Sequence, residues 1–343
     1  MARTVLVTGG SGYFGSLLAS RALADGDDVR IFDLNPPGAE LAAAEYVAGD
    51  VRDPAALRVA CKDVDAVFHN VAQVPLAKDR DLFDAVNIDG TANVLVAARD
   101  AGVRKVVHTS SSAIFGIPDR NPVTEDTPGR PLEAYGRAKL QAEALCRDAA
   151  HAGLDVTIVR PRTILGHGRL GIIALLFDFV ADGAPVFVLG KGDNRYQFVH
   201  ANDLADACLR AAARPGATVY NIGATEFGTM RETLQALVDH AATGSRVRSL
   251  PVAPARLAMK GLAGAGLAPF APYHWLLYSE SLWFDTTKAR TELGWQPEYS
   301  NAAMIAESYD WFRAHRASLA AEGASHHQSP VRPGLVRLLK RLP

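Results

Sequence analysis

Cysteine is scarce in this chain: 3 residues in 343, at Cys61, Cys146 and Cys208. They are far apart and show no metal-ligand spacing, so they read as buried thiols in a reducing compartment, not as a disulfide framework. No apolar run reaches the ~18 residues that a membrane span needs. Net charge is almost absent, −1 from 36 basic and 37 acidic residues. That leaves no overall basic field, and nucleic acid is not favoured as a partner. Internal repeats are missing too. A strand-like run begins at the fourth residue of "MARTVLVTGG", which leaves no room for a signal peptide. These absences together make the cytoplasm the expected compartment.

What is present is ordinary globular composition, 48% apolar and 21% charged. The length can bury a large core and suggests two domains, or one domain with a lobe. Short β-rich runs occur at Thr4–Val7, Val29–Phe32, Ala66–His69, Lys105–Thr109 and Val156–Val159. Stretches with helical spacing lie between them, at Ser16–Ala24, Asn93–Ala101 and Tyr135–Ala150. Alternation of this kind, with nearly continuous apolar strands, predicts a parallel sheet covered on both faces. The expected fold is therefore a Rossmann-like, doubly wound α/β domain over residues 1–165, with 197–225 returning to it. Residues 166–196 and 226–320 are expected to form a smaller substrate-binding lobe. That lobe includes a helix over Ile172–Ala181 and the charge-poor region Pro251–Tyr278. Residues 321–343 read as a flexible basic tail.

The stretch "VLVTGGSGYFGSLLA" puts glycines at Gly9, Gly10, Gly12 and Gly15, between the first strand and the first helix. Glycines there allow a tight turn and close approach of the backbone to a pyrophosphate. The helix N-terminus adds free N–H groups and a positive dipole end. Tyr13 and Phe14 belong to the same loop-to-helix junction. Asp33 ends the second strand, "VRIFDLN", where a carboxylate accepts hydrogen bonds from a ribose 2′-hydroxyl and repels a 2′-phosphate. NAD is thus favoured over NADP, unless Arg30 reaches the same spot. "AGDVRD" offers Asp50 and Val51 for an adenine, and "FHNVAQ" ends a strand with Val71 and Ala72 where a loop would pass close to a cofactor.

The stretch "EAYGRAKLQAE" places Tyr135 and Lys139 on one helix face, four residues apart. A free tyrosine, with pKa near ~10, is a poor base at neutral pH. A lysine ammonium beside it stabilises the phenolate, so the pair could move a proton to or from a secondary alcohol or ketone. A serine from the preceding strand end, "VVHTSSSAIFG", could hold the same oxygen while a nicotinamide carries the hydride.

In this order the motifs resemble the extended short-chain dehydrogenase/reductase family, especially its NAD-dependent epimerase/dehydratase branch. The resemblance spans residues 4 to about 312 and rests on "TGGSGYFG", "FD" at 32–33, "GDVRD", "NIDGTANVL", "TSSSAIFG", "YGRAK", "VRPRTILG", "FVHANDLADA" and "FDTTKARTELGWQP". It implies Tyr135 as acid/base, Lys139 as its activator and ribose ligand, and Ser111 as the orienting serine, with Ser112 as competitor. It also implies Asn87, Ser110 and Pro161 near the cofactor, although Asn87 reads equally as a helix-start cap. A homodimer through the helices of "NIDGTANVLVAARDAG" and of Tyr135 is implied as well.

Several branches share this machinery. Dehydratases of the family carry an Asp-Glu pair after the serine position, and Ser112 and Ala113 stand there, which disfavours dehydration. Nucleotide-sugar epimerases keep the Ser-Ala arrangement but usually read R-x-x-N after the next strand, where "RPRT" has Thr163. They usually place a diphosphate-binding arginine where this chain has Tyr196. Arg195 is one residue off, and Arg162, Arg169 or Lys191 could substitute. "RPRTILG" also resembles the 3β-hydroxysteroid dehydrogenase-like branch, which acts on apolar alcohols and ketones. The charge-poor segment suits either an apolar pocket wall or ordinary buried packing. The end "LVRLLKRLP" is a candidate for peripheral lipid contact or a disordered tail. Expected substrate-side residues are Ser112, Arg162, Thr163 and Tyr196. The leading expectation is hydride and proton transfer on a sugar or sugar-nucleotide. The runner-up is net oxidoreduction of an apolar alcohol. His167 and His200 read either as pocket-lining residues or, at least as readily, as satisfied polar loop residues.

Overall fold

A computed structural model of the chain describes residues 2–73, 82–168, 173–265 and 277–321. Arg169, the tail from 322 onward and part of the charge-poor segment lie outside the described residues.

Seven parallel strands form the main sheet. They are β1 (Thr4–Thr8), β2 (Asp28–Asp33), β3 (Glu45–Ala48), β4 (Ala66–His69), β5 (Lys105–Thr109), β6 (Val156–Pro161) and β10 (Thr218–Ile222), in the order β10-β6-β5-β4-β1-β2-β3. Their composition explains the burial. β4 and β6 are buried at every position, and β1 at all but its first. Successive side chains enter opposite layers: Val5 and Val7 join one core and Leu6 the other. Each buried aliphatic contributes roughly 1.5–3 kcal/mol.

Helices α1 (Tyr13–Ala24), α2 (Pro54–Ala60), α3 (Leu82–Asp84), α4 (Gly90–Asp100) and α5 (Ala134–His151) cover the sheet together with α7 (Ala201–Ala213). The sequence expectations for β1, β2, β4, β5, β6, α1, α4 and α5 agree with these bounds to within three residues. The chain order reverses between β1 and β4, and such a switch point opens a crevice at the carboxyl ends of the strands.

A separate core gathers α6 (Ile173–Ala181), β8 (Val186–Leu189), α8 (Met230–Ala241) and the long α11 (Asn301–Ala321). Phe177 packs edge-on against Tyr309 there, ring centroids 5.7 Å apart. Two small parallel pairs belong to this side: β7 (Thr163–Leu165) with β9 (Phe198–His200), and β8 with β11 (Val247–Leu250). Also present are α9 (Val252–Gly264) and α10 (Thr287–Leu293). Trp295, fully buried, ties this side to α7 by donating from its indole N–H to the Asp203 carbonyl at 2.8 Å.

Candidate active site

The glycine loop turns between β1 and α1. Gly9 has φ +72°, a left-handed conformation that costs glycine little. A Cβ on Gly15 would lie 2.0 Å from the Gly9 carbonyl oxygen, so only glycine lets the helix rest on the loop. Gly12 caps α1 without any side-chain hydrogen bond, and the first turn carries no acid. Gly12 itself offers no side-chain acceptor at the start of α1, and a helix N-terminus there suits an anion. The Phe14 ring is buried in the core, so that residue faces the loop through its backbone alone.

Asp33 stands beside this turn. Its carboxylate accepts from the Ser11 and Asn35 backbone N–H groups, each at 3.1 Å. Arg30 is engaged elsewhere: it donates to Glu45 at 2.7 Å and to the Ala60 and Lys62 carbonyls at 2.8 Å. The exception considered for Arg30 is thereby removed, and the acid is left without a competing cation from β2. Asp50 follows β3 and is gripped by the Arg52 guanidinium, whose hydrogen bonds hold its carboxyl below the usual range. Val51 is buried against Gly90, and Val71 lies against Gly9. Ala72 follows Val71, half-buried.

Asn87 is not a helix-start cap. It lies inside a π-helical turn, Ala85–Asp89, and its amide bridges back to the Gln73 backbone at 2.8 and 3.2 Å. It thus holds the loop after β4. Asn70, which opens that loop, accepts from the Thr109 hydroxyl at 2.6 Å. Its Nδ2 is sealed from water and has no partner among the described residues. Such an orphan donor, beside the glycine turn and the half-buried Asp33, is what a dinucleotide of phosphates and hydroxyls would satisfy. The residues fit the group.

The second half of the site is built by α5. Glu133 caps it, accepting from the Tyr135 and Gly136 N–H groups at 2.8 and 2.7 Å. A Cβ on Gly136 would come within 2.4 Å of the Ala113 carbonyl, so this glycine lets the helix start press against the serine-rich turn. Tyr135 is half-buried. Lys139, one turn on, is only 2% exposed, and its Nζ donates to the Thr109 carbonyl at 2.8 Å. Burial lowers its pKa to about 8, partly opposed by the nearby Cys146 and Glu143.

The three serines have separate tasks. Ser110 is buried and donates to Glu143 at 2.6 Å, so its hydroxyl serves the core rather than the crevice. Ser111 caps the turn Ser112–Phe115, accepting from the Ala113 N–H at 3.1 Å, and stays half-buried at the strand end. Ser112 is buried and accepts from Arg162 Nη1 at 2.8 Å.

Pro161 closes β6 and Arg162 follows it, 3% exposed. Thr163 and Tyr196, where the resemblance leads one to expect an asparagine and an arginine, share a hydroxyl–hydroxyl hydrogen bond of 2.9 Å. The two departures thus meet in space. Arg195 faces away, its guanidinium between the Phe227 and Trp283 rings at 4.8 and 4.7 Å. Lys191 is exposed, and its carbonyl accepts from Arg231. His167 pairs with Glu307 at 2.6 Å, and His200 caps α7 by accepting from the Asn202 N–H at 3.2 Å.

Sequence reasoning missed Asn70, and it missed His69 and His108. These two are partners across β4 and β5, with rings 5.2 Å apart. His69 shares hydrogen bonds with Thr8 at 2.8 Å and Thr91 at 3.0 Å. Burial and the Lys139 charge keep both uncharged, His69 with its pKa lowered to about 3. The available signal was polar residues in otherwise apolar strands.

Comparison with known proteins bears on this geometry. The NAD dependent epimerase/dehydratase family profile matches residues 5–223. An uncharacterized protein y4nG of Sinorhizobium fredii is 52% identical over 98% of this chain and 85% of its own length. A UDP-glucose 4-epimerase of Mycolicibacterium smegmatis is 32% identical over 90% of this chain and 98% of its own. Among solved structures, a UDP-glucose-4-epimerase of Stenotrophomonas maltophila, with bound NAD and formylated UDP-arabinopyranose, superposes with TM-score 0.76 at 24% identity, covering 92% of this chain and 99% of that one. At that identity the likeness speaks for the fold.

Proposed function

Because the chain belongs to the NAD dependent epimerase/dehydratase family, whose cofactor is NAD, we propose that it transfers hydride and proton at a secondary alcohol carbon of a sugar or sugar-nucleotide. The carrying observation is Lys139: a buried ammonium anchored on Thr109, one helical turn from Tyr135 and beside the strand end that presents Ser111. Tyr135 takes the alcohol proton, Lys139 stabilises its phenolate, and Ser111 holds the same oxygen. Bound NAD supplies a redox partner for the carbinol carbon, recovered unchanged in an epimerisation. Gly9, Gly12, Gly15 and Asp33 hold its pyrophosphate and ribose, and Asn70 and Asn87 shape the loop beside it. The described residues of 166–196 and 226–320 form the substrate lobe. The sugar-nucleotide reading draws on the relatives named UDP-glucose 4-epimerase. The small neutral Ser112 and Ala113 weigh against dehydration.

Thr163 and Tyr196 favour a second reading, net oxidoreduction of an apolar alcohol. They bring hydroxyls where a diphosphate would want charge, and Ile117 and Leu132 next to the site expose apolar surface. Net NADH formation separates the two readings: an epimerase gives none. For either, Tyr135→Phe is expected to lower turnover by about 10²–10⁴-fold while NAD still binds. Stopped-flow turnover and NAD titration on the same variant check this. Unchanged turnover would remove Tyr135 from the chemistry and bring forward a non-catalytic NAD-binding role.

We also propose the cytoplasm as its compartment, on three buried free cysteines, and a homodimer through α4 and α5, where Val96 is 47% exposed.

A further inference from the structure

Two arginines flank Pro161, and the fold treats them differently. Arg160, 3% exposed, grips Glu143 with the Nε–Nη2 edge of its guanidinium, at 2.8 and 2.7 Å, and places Nη1 on the Glu125 carbonyl at 2.9 Å. Arg162 is buried to the same degree, but it meets no carboxylate among the described residues. Its Nη1 donates to Ser112, and its face packs over the rings of Tyr196 and Phe284 at 4.9 and 5.7 Å. The Nε–Nη2 edge, the one Arg160 uses for Glu143, has no acceptor among the described residues and is closed to water.

A guanidinium does not lose its charge, and ring faces satisfy the cation but not its in-plane N–H groups. Leaving that edge unmet in the interior is costly. The edge matches a carboxylate, which it can hold with two parallel hydrogen bonds.

We propose that the free edge of Arg162, whose Nη1 is held by Ser112, forms a subsite for a carboxylate carried by the substrate near the reacting carbinol. This rests on the reading that Ser111 holds the carbinol oxygen. Ser112 is its chain neighbour, with Cα atoms ~3.8 Å apart. Through Nη1 on Ser112 the Arg162 guanidinium is tied to the serine turn, so an anion on its free edge sits on the same side of the site as the carbinol oxygen. The substrate class is a secondary alcohol with a nearby carboxylate, on either a sugar or an apolar scaffold.

The test uses NAD-loaded protein and matched probes: UDP-glucuronate against UDP-glucose, and a sterol 4-carboxylate against the parent sterol. Calorimetry gives binding, and NADH absorbance with product analysis gives turnover. On the scaffold the site accepts, the carboxylate should bind roughly 10- to 100-fold tighter than its neutral partner. Arg162→Met should bring that ratio to about one. Arg162→Lys should leave an intermediate ratio, and it carries the test with the wild-type ratio if the methionine variant does not fold. A wild-type ratio near one, a ratio unchanged in either variant, or no binding of either carboxylate overturns the proposal. Carboxylate preference without turnover of any alcohol supports the subsite and sinks the reaction assignment. Turnover with a ratio of one does the reverse.

Discussion

The most unusual residues are polar side chains kept in the interior beneath α5. Lys139 is anchored on one carbonyl, and beside it His69 and His108 face each other uncharged. His108 is fully buried, with neither ring nitrogen partnered among the described residues. Its pKa lies well below the ordinary value because burial, and then the Lys139 charge, disfavour the imidazolium. The sign follows from linkage: a histidine depressed in the folded state contributes stability that is present above its unfolded pKa and lost as pH falls. The loss begins near ~6.5, where an unfolded histidine titrates. His108→Leu should therefore flatten the decline of stability below that pH while changing little at pH 8. Urea midpoints measured from pH 8 to pH 4 test this, and parallel profiles for wild type and variant would reject it.

Among elements, α5 bears the most. Its N-terminus is set by Glu133 and by the close pass of Gly136 over Ala113. Its middle is fixed by Glu143, fully buried, which accepts from Ser110 and from both edge nitrogens of Arg160. These contacts tie the helix to β5 and β6, so the Tyr135–Lys139 face is held against the crevice. Glu143→Gln removes the charge that pairs with a buried guanidinium and should cost about 3–5 kcal/mol. Arg147, which reaches the same carboxylate from a side chain 42% exposed, should cost only about 0–1 kcal/mol when changed to Gln. Equal losses in urea unfolding would show that the buried pair is not what secures the helix.

At the scale of the molecule, two cores abut at β9, where Val199 enters one and Phe198 the other. The sheet contributes the serine turn and α5, and β7 and β9 bring Thr163 and Tyr196 close to the end of β6. Trp295 and the Asp203 carboxylate, which accepts from the Glu298 and Tyr299 N–H groups, lock the segment before α11 onto α7. If α4 and α5 pair with a second copy as proposed, sedimentation equilibrium should return a mass near twice 36.6 kDa. A monomer mass at micromolar concentration would reject that assembly. Among the described residues no helix is long and apolar enough to cross a membrane.

The parallel sheet, the glycine loop, Asp33 and the Tyr135/Lys139 helix were legible in the chain because each depends on local rules: strand and helix periods, the backbone freedom of glycine, and the four-residue spacing of one helix face. Partners distant in sequence were not. Arg160 and Arg162 look alike in "VRPRT", yet one meets Glu143 and the other meets no acid among the described residues. Thr163 and Tyr196 read as two unrelated departures until a single hydrogen bond joined them. His69 and His108 became neighbours only through strand register. Sequence alone thus determined the fold class and the helix that carries Tyr135 and Lys139. Tertiary structure decided which buried charges are already paired and which keeps an unmet edge among the described residues, because that depends on groups brought together from separate strands and helices.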